Sequence, residues 1–126
     1  MAARQNNDKT KYSDAELSVF EKIIDDKLSK AKEQLAFYME QIQELSDNDD
    51  SKLKGLDDGI SSVETERLYT MAARQKKLIQ HLDNAKLRIK NKVYGICRMS
   101  GKLIPKERLM AVPHATLSIE AKQQGL

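Results

Sequence analysis

Cysteine, proline, glycine and aromatic residues are all scarce in this sequence. The one cysteine, Cys97, excludes an internal disulfide framework and any zinc site built from cysteines alone. Two prolines and five glycines among 126 residues argue against the turn-rich all-β classes. No apolar run approaches the length of about 18 residues that a membrane span needs, so we expect no membrane association.

Charge is what the sequence has in abundance. Charged residues make up 33% of a composition typical of long helices. Residues 1–71 carry 10 Lys or Arg against 16 Asp or Glu, whereas residues 72–126 carry 12 against 3. This asymmetry favours pairing within the molecule, or a partner with patches of both signs. The first twelve residues lack the apolar centre of a signal peptide, so we expect a cytoplasmic protein.

A polar arm precedes the first helical pattern. Residues 1–12 are polar and aperiodic, which predicts a mobile N-terminal arm. Ser13 and Glu16 then have the spacing of a capping box. The helix is predicted to run for about 33 residues and to stop at the turn-forming cluster that begins at Ser46. Its apolar residues recur at steps of three and four, close to a heptad: Leu17, Phe20, Ile24, Leu28, Ala31, Leu35, Tyr38, Ile42 and Leu45.

A second long helix is predicted from Ser61 or Ser62 to residues 91–92. Its seam residues are Leu68, Met71, Gln75, Leu78, Leu82, Ala85 and Ile89. Two such helices joined by a polar loop predict an antiparallel coiled-coil hairpin over residues 13–93, with an acidic tip near 46–60. The predicted fold class is therefore mainly all-α. Pairing with another subunit would give the same heptads; we expect a monomer.

Residues 94–126 lose the helical period and predict a small globular lobe. Residues 93–97 are predicted to be extended, Pro105 to begin a short helix that ends before Pro113, and a last helix to cover 115–123. About 33 residues are too few for an independent core. The lobe must therefore pack on the base of the hairpin or contain a metal.

The spacing Cys-x2-Cys…Cys-x2-Cys, which holds zinc in small lobes, falls here on Cys97, Ser100, Ser118 and Ala121. One thiolate and two neutral hydroxyls do not make a tetrahedral zinc site, and adding His114 still leaves too few ligands. We therefore predict no bound zinc and no other cofactor. The compensating core is predicted to be apolar: Tyr94, Ile96, Leu103, Ile104, Leu109, Val112, Leu117 and Ile119.

The same segment carries a family resemblance. It resembles the C-terminal zinc-finger segment of the DksA/TraR family over residues 92–122, and the predicted hairpin is similar in architecture over 13–91. The resemblance is to a branch in which the cysteines have been replaced. It is carried by Tyr94-Gly95-Ile96-Cys97, Gly101, Ile104-Pro105, Arg108-Leu109, Pro113, Ala115 and the run 117–122.

The resemblance implies a regulator that binds bacterial RNA polymerase and reads no DNA sequence directly. Its hairpin would enter the secondary channel and bring acidic tip residues near the catalytic centre. The family's Asp-x-x-Asp-x-Ala tip motif falls on Lys54, Asp57 and Gly59, of which only Asp57 matches. Asp57 and its neighbour Asp58 are the candidate tip residues; the alternative is that they only solvate a loop.

The resemblance also implies a guanosine tetraphosphate site at the interface with polymerase, with basic positions that fall here on His81, Val112 and Lys122. Only Lys122 keeps the expected residue type, and it is the candidate alarmone contact. The same lysine also suits the negative end of the last helix. The resemblance therefore does not carry alarmone dependence over to this chain.

Two other function classes stay open, and neither they nor the leading hypothesis is an enzyme. One is a coiled-coil scaffold or dimerisation module without polymerase binding. The other is a nucleic-acid binder that uses basic residues of the second helix: Arg74, Lys76, Lys77, Lys86, Arg88, Lys90 and Lys92. Catalysis by Cys97 with His81 or His114 has no local sequence signature.

Overall fold

The described part of the chain is mainly helical. A computed structural model describes residues 10–52 and 58–123. Within that part of the chain, α1 spans Asp14–Lys52, α2 Asp58–Lys90, α3 Lys106–Ala111 and α4 Ile119–Gln123. The β structure there amounts to one antiparallel bridge, between Ile96 and Leu103. The predicted fold class, a long helical hairpin with a small C-terminal lobe, is confirmed.

The capping box at the start of α1 is confirmed. The Ser13 amide donates to Glu16 Oε1 at 2.8 Å, and the Glu16 amide donates to Ser13 Oγ at 3.2 Å. The two residues thereby satisfy amides that a helix N-terminus leaves without partners.

The predicted end of α1 at Ser46 is wrong, because the helix continues to Lys52. Asp, Asn and Ser each cost only a fraction of a kcal/mol inside a helix, roughly 0.3–0.7, and such propensities are readily outweighed. Gln43 Nε2 also donates to Asp47 Oδ1 at 3.2 Å, one turn further along. The predicted tip at 46–60 is therefore largely helical in its described part.

The second helix begins earlier than predicted and ends as predicted. It starts at Asp58, ahead of the capping box at Ser61, and an acidic residue type is itself favourable at a helix N-terminus. At the other end, Lys92 adopts φ 64°. Its amide donates to Ile89 O at 3.0 Å, and the Val93 amide donates to Arg88 O at 2.9 Å. This double closure is the Schellman arrangement.

The predicted last helix is shorter than expected. α4 begins at Ile119, so residues 115–118 are not helical. Ser118 Oγ accepts from the Ala121 amide at 3.1 Å, which makes Ser118 the helix cap. Thr116 O is already taken by the Arg98 amide at 2.9 Å. The predicted short helix after Pro105 is confirmed as α3.

The described chain forms two compact units, to which both long helices contribute. The helical unit contains residues 28–52 and 58–80, and the lobe unit contains residues 10–27 and 81–123. In the helical unit, Ile42, Leu68 and Ala72 are buried, with Leu35, Tyr38 and Leu45 packed against them. All but Ala72 belong to the predicted seam.

The lobe unit has the more fully buried core. Ile24, Leu82, Tyr94, Ile104 and Leu109 have no exposed side-chain surface. The prediction that residues 1–12 are all a mobile arm fails at the residues that the structure describes, because Tyr12 is buried. Its hydroxyl donates to Ile104 O. Residues 1–9 lie outside the described residues.

Gly95 is required where Tyr12 packs on the lobe. Its φ of +81° is a left-handed conformation, and a Cβ added there would lie 2.6 Å from two ring carbons of Tyr12. The side chain of Tyr12 therefore occupies the space that any other residue at 95 would need.

Among the described residues, the helices are too polar along their length for any of them to cross a lipid bilayer.

Leu68→Ala is expected to lower the free energy of unfolding by about 2–5 kcal/mol, because it removes a buried side chain and leaves a cavity. Val63→Ala is the matched control, since Val63 lies in the same helix and is 70% exposed. Its effect should stay within about 0.5 kcal/mol. Equal effects of the two substitutions in chemical denaturation would contradict the observed seam.

Gly95→Ala is expected to destabilise the protein more than Gly101→Ala. Both glycines have positive φ, but nothing lies within 4 Å of a Cβ built at Gly101. The difference between their melting temperatures therefore isolates the clash with Tyr12 from the backbone strain that both substitutions share. Gly95→Ala should lose part of its extra cost in a Tyr12→Ala background, and additive effects would count against the contact.

Candidate functional site

The four finger positions lie at two turns of the lobe. Cys97 follows the bridge residue Ile96, and its amide donates to Lys102 O at 2.8 Å. Gly101, with φ +74°, closes the turn by donating its amide to Cys97 O at 2.8 Å. Ser100 lies in this turn, whereas Ser118 and Ala121 lie at the start of α4.

The structure brings Cys97 and Ser118 together. Cys97 Sγ accepts from the Ser100 amide at 3.5 Å and from the Ser118 amide at 3.4 Å. Ser118 Oγ lies 3.8 Å from the same sulfur. The pKa of the Cys97 thiol is lowered to about 6. The largest cause is a hydrogen bond from the Ser100 side chain; backbone amides, including those of Ser100 and Ser118, lower it further, and burial opposes the shift. A single sulfur atom thus accepts hydrogen bonds from an amide in each of the two turns.

These residues do not fit a zinc ion. The position at Ala121 has no ligand atom, and its amide is already bonded to Ser118 Oγ. Neutral hydroxyls at Ser100 and Ser118 do not replace thiolates, so Cys97 is left as one ligand where a structural site uses four. Among the described residues, no group of three or more His, Cys, Asp or Glu side chains is arranged to hold a metal ion.

Hydrogen bonds from arginines and a tyrosine hold the loop that leads to Ser118. Tyr94 Oη donates to Pro113 O at 2.8 Å, and Arg108 Nε donates to Leu117 O at 2.7 Å. An Nη of Arg88 donates to His114 O at 3.3 Å. Sequence reasoning missed both arginines as structural residues, since a basic helix face reads as solvated surface.

The three positions that correspond to the family's alarmone site lie on different elements of the lobe unit. His81 is exposed on α2, Val112 is half-buried after α3, and Lys122 is exposed in α4. His81 stacks its ring on His114, a contact that no sequence pattern indicated. Lys122 stays the candidate alarmone contact on residue type alone.

Of the two tip candidates, Asp57 and Asp58, only Asp58 is among the described residues. Asp57 and Lys54 lie outside the described residues, and Asp58 is the first residue of α2. Asp58 directly precedes Gly59, which stands where the family motif has alanine. The assignment of Asp57 and Asp58 therefore stays a prediction from sequence.

Comparison with known proteins agrees with this arrangement. The family model for the prokaryotic dksA/traR C4-type zinc finger matches residues 92–124. General stress protein 16O of Bacillus subtilis is 30% identical over 108 residues, which cover 82% of this chain and 64% of that protein. The RNA polymerase-binding transcription factor DksA of Caulobacter vibrioides is 39% identical over 66 residues, which cover 51% of this chain and 46% of that protein.

The fold is also that of a solved relative. The structure of transcription factor DksA2 from Pseudomonas aeruginosa superposes with a TM-score of 0.79 at 23% identity, over 88% of this chain and 83% of that one. Paired helices followed by a lobe with two finger turns define a zinc-finger-type helical hairpin protein. Residues 92–124 match the DksA/TraR zinc-finger family, and the fold is that of the DksA2 structure. The chain spans less than two thirds of the length of these two sequence relatives.

Wild-type protein is expected to fold without zinc, and the triple variant Ser100→Cys/Ser118→Cys/Ala121→Cys is expected to bind one zinc ion per chain. The reason is that the two turns already bring both halves of the finger spacing together, so only ligand atoms are missing. Elemental analysis and melting with and without a chelator measure this. A wild-type lobe that unfolds in chelator would contradict the prediction, as would a triple variant that takes up no zinc.

Proposed function

We propose that this protein binds bacterial RNA polymerase and modulates transcription initiation through the tip of its helical hairpin. The observation that carries the proposal is the combination of a family-specific lobe at residues 92–124 with two long paired helices. A relative that is 39% identical over 66 residues is named as an RNA polymerase-binding transcription factor. The role requires no catalytic group.

The proposed mode of action is insertion of the hairpin into the secondary channel of the enzyme. Asp57 and Asp58 would then approach the catalytic centre, where carboxylates can perturb bound metal ions and the loops around them. The lobe would bind polymerase outside the channel. Guanosine tetraphosphate is not part of the proposal, because His81 and Val112 do not have the basic character of the family's site.

Part of the basic surface proposed for nucleic-acid contact is engaged within the molecule, which favours polymerase binding over nucleic-acid binding. Lys86 Nζ lies 2.7 Å from Asp25, and Lys92 Nζ lies 2.5 Å from Asp14. Arg88 donates to the lobe. Three of the seven residues proposed for nucleic-acid contact therefore have partners of their own.

The test is a binding assay with immobilised full-length chain and core RNA polymerase, followed by in vitro transcription. Wild type is expected to retain polymerase and to change initiation. Asp57→Asn/Asp58→Asn is expected to retain binding and lose the effect on initiation. Glu33→Gln/Glu40→Gln is the matched control, since it removes two charges from exposed positions on α1 and should behave as wild type.

Each outcome separates one part of the proposal. If wild type retains no polymerase, polymerase binding is wrong. If the Asp57/Asp58 variant regulates like wild type, the tip assignment alone is wrong. A melting temperature that rises with protein concentration, together with a dimeric mass, would favour the scaffold function. DNA affinity that falls steeply with salt would favour nucleic-acid binding.

A further inference from the structure

The only two histidines of the chain are stacked on each other. The ring of His81, on α2, lies 5.3 Å from that of His114, with an angle of 5° between their planes. His114 belongs to the loop between α3 and α4. Two imidazoles so placed interact directly, so a proton taken up by one ring disfavours a proton on the other.

The surroundings of His114 disfavour a proton further. Its Nδ1 is buried and has no hydrogen-bond partner among the described residues. The charged groups that act on the ring come from three helices: Lys27 of α1, Arg88 of α2 beside His81, and Arg108 of α3. All are cationic. Burial first, and then these neighbours, hold the pKa of His114 below its ordinary value.

The segment 113–118 that carries His114 is attached to the lobe at both ends. Pro113 O accepts from Tyr94, and Leu117 O accepts from Arg108. At the last residue of the segment, the Ser118 amide donates to Cys97 Sγ. A displacement of His114 would therefore also disturb the hydrogen bond between Ser118 and Cys97, which joins the two finger turns.

We propose that the His81–His114 stack is an acid-sensitive latch, and that proton uptake there releases the segment 113–118 from the lobe. A protonated His114 carries an N–H on both ring nitrogens, and its buried Nδ1 has no acceptor among the described residues. It also adds positive charge to a cluster that already holds three cations. Movement of the loop into solvent relieves both penalties, whereas neutral rings fit the observed packing. The latch is independent of polymerase binding.

The sign of the pH dependence follows from linkage. The unfolded or opened segment takes up its proton near the ordinary histidine value of about 6.5, and the closed segment does so only at lower pH. The open form therefore binds more protons as pH falls through that range. Closure is complete above about pH 7. It weakens as the pH falls from the pKa of His114 in the open segment to its lower pKa in the closed segment.

Imidazole NMR titration tests the latch directly, because this 126-residue chain gives only two histidine signals. His114 is expected to titrate below 6.5, and Lys27→Gln is expected to raise its midpoint by removing one neighbouring cation. Lys102→Gln removes the same charge from an exposed position of the lobe and should leave the midpoint unchanged. A His114 midpoint at or above 6.5 would overturn the proposal, as would equal effects of the two variants.

Amide hydrogen exchange measures the opening itself. After correction for intrinsic rates, residues 114–118 are expected to open about threefold or more when the pH falls from 7.5 to 5.5, with buried α2 positions such as Ala85 unchanged. In His81→Gln, where His114 has lost its stacked partner ring, the pH dependence should shrink. Opening of 114–118 that does not change with pH, or that occurs equally throughout α2, would overturn the latch.

Discussion

A lobe of about thirty residues cannot close a hydrophobic core by itself, and in this protein two aromatic side chains that precede it in sequence, Tyr12 and Phe20, complete the core. The ring of Phe20, on α1, lies 5.3 Å from that of Tyr94 and 5.4 Å from that of Tyr12. These three are half of the six aromatic residues in the chain. Gly95 is required because Tyr12 lies over it, and Ile104 is fixed because its carbonyl accepts from Tyr12.

The same packing explains how a zinc-finger lobe can keep its turns without zinc ligands. Zinc contributes roughly 10–16 kcal/mol to folding in small finger peptides. The two amide hydrogen bonds to Cys97 Sγ contribute on the order of 1 kcal/mol each. Full burial of Tyr94, Ile104 and Leu109 contributes roughly 1.5–3 kcal/mol per side chain. Stabilisation is therefore spread over many contacts, and no single contact takes the place of the metal.

Sequence patterns predicted those parts of the fold that depend on local periodicity. The capping box at Ser13, most of the seam, the end of α2 and the short helix after Pro105 all follow from spacing and residue type. The continuation of α1 beyond Ser46 did not follow from residue type. The unfavourable helix propensities of single residues are small compared with the free energy gained by adding further hydrogen-bonded residues to an existing helix.

Long-range contacts were beyond sequence reasoning. Tyr12 lies in a polar arm, and only the fold shows that it packs on residue 95. Arg88 and Arg108 belong to charged helix faces. The carbonyl oxygens to which they donate lie 26 and 9 residues further along the chain. The stacked histidines are 33 positions apart, and nothing in either local sequence indicates the other. The candidate site at the finger turns was predicted by spacing, but its hydrogen-bond network was not.

The charge asymmetry of the sequence now has two physical roles. Part of the basic second half pairs with acidic residues of α1, as Lys86 does with Asp25 and Lys106 with Glu16. Another part gathers around His114, where Arg88 and Arg108 are tolerated because their guanidinium groups donate to carbonyl oxygens. An imidazole has no such acceptor for its buried nitrogen. The packing around His114 therefore accommodates the two arginine charges but disfavours a proton on the imidazole. For this reason the proposed acid-sensitive residue is His114, and neither of the two arginines.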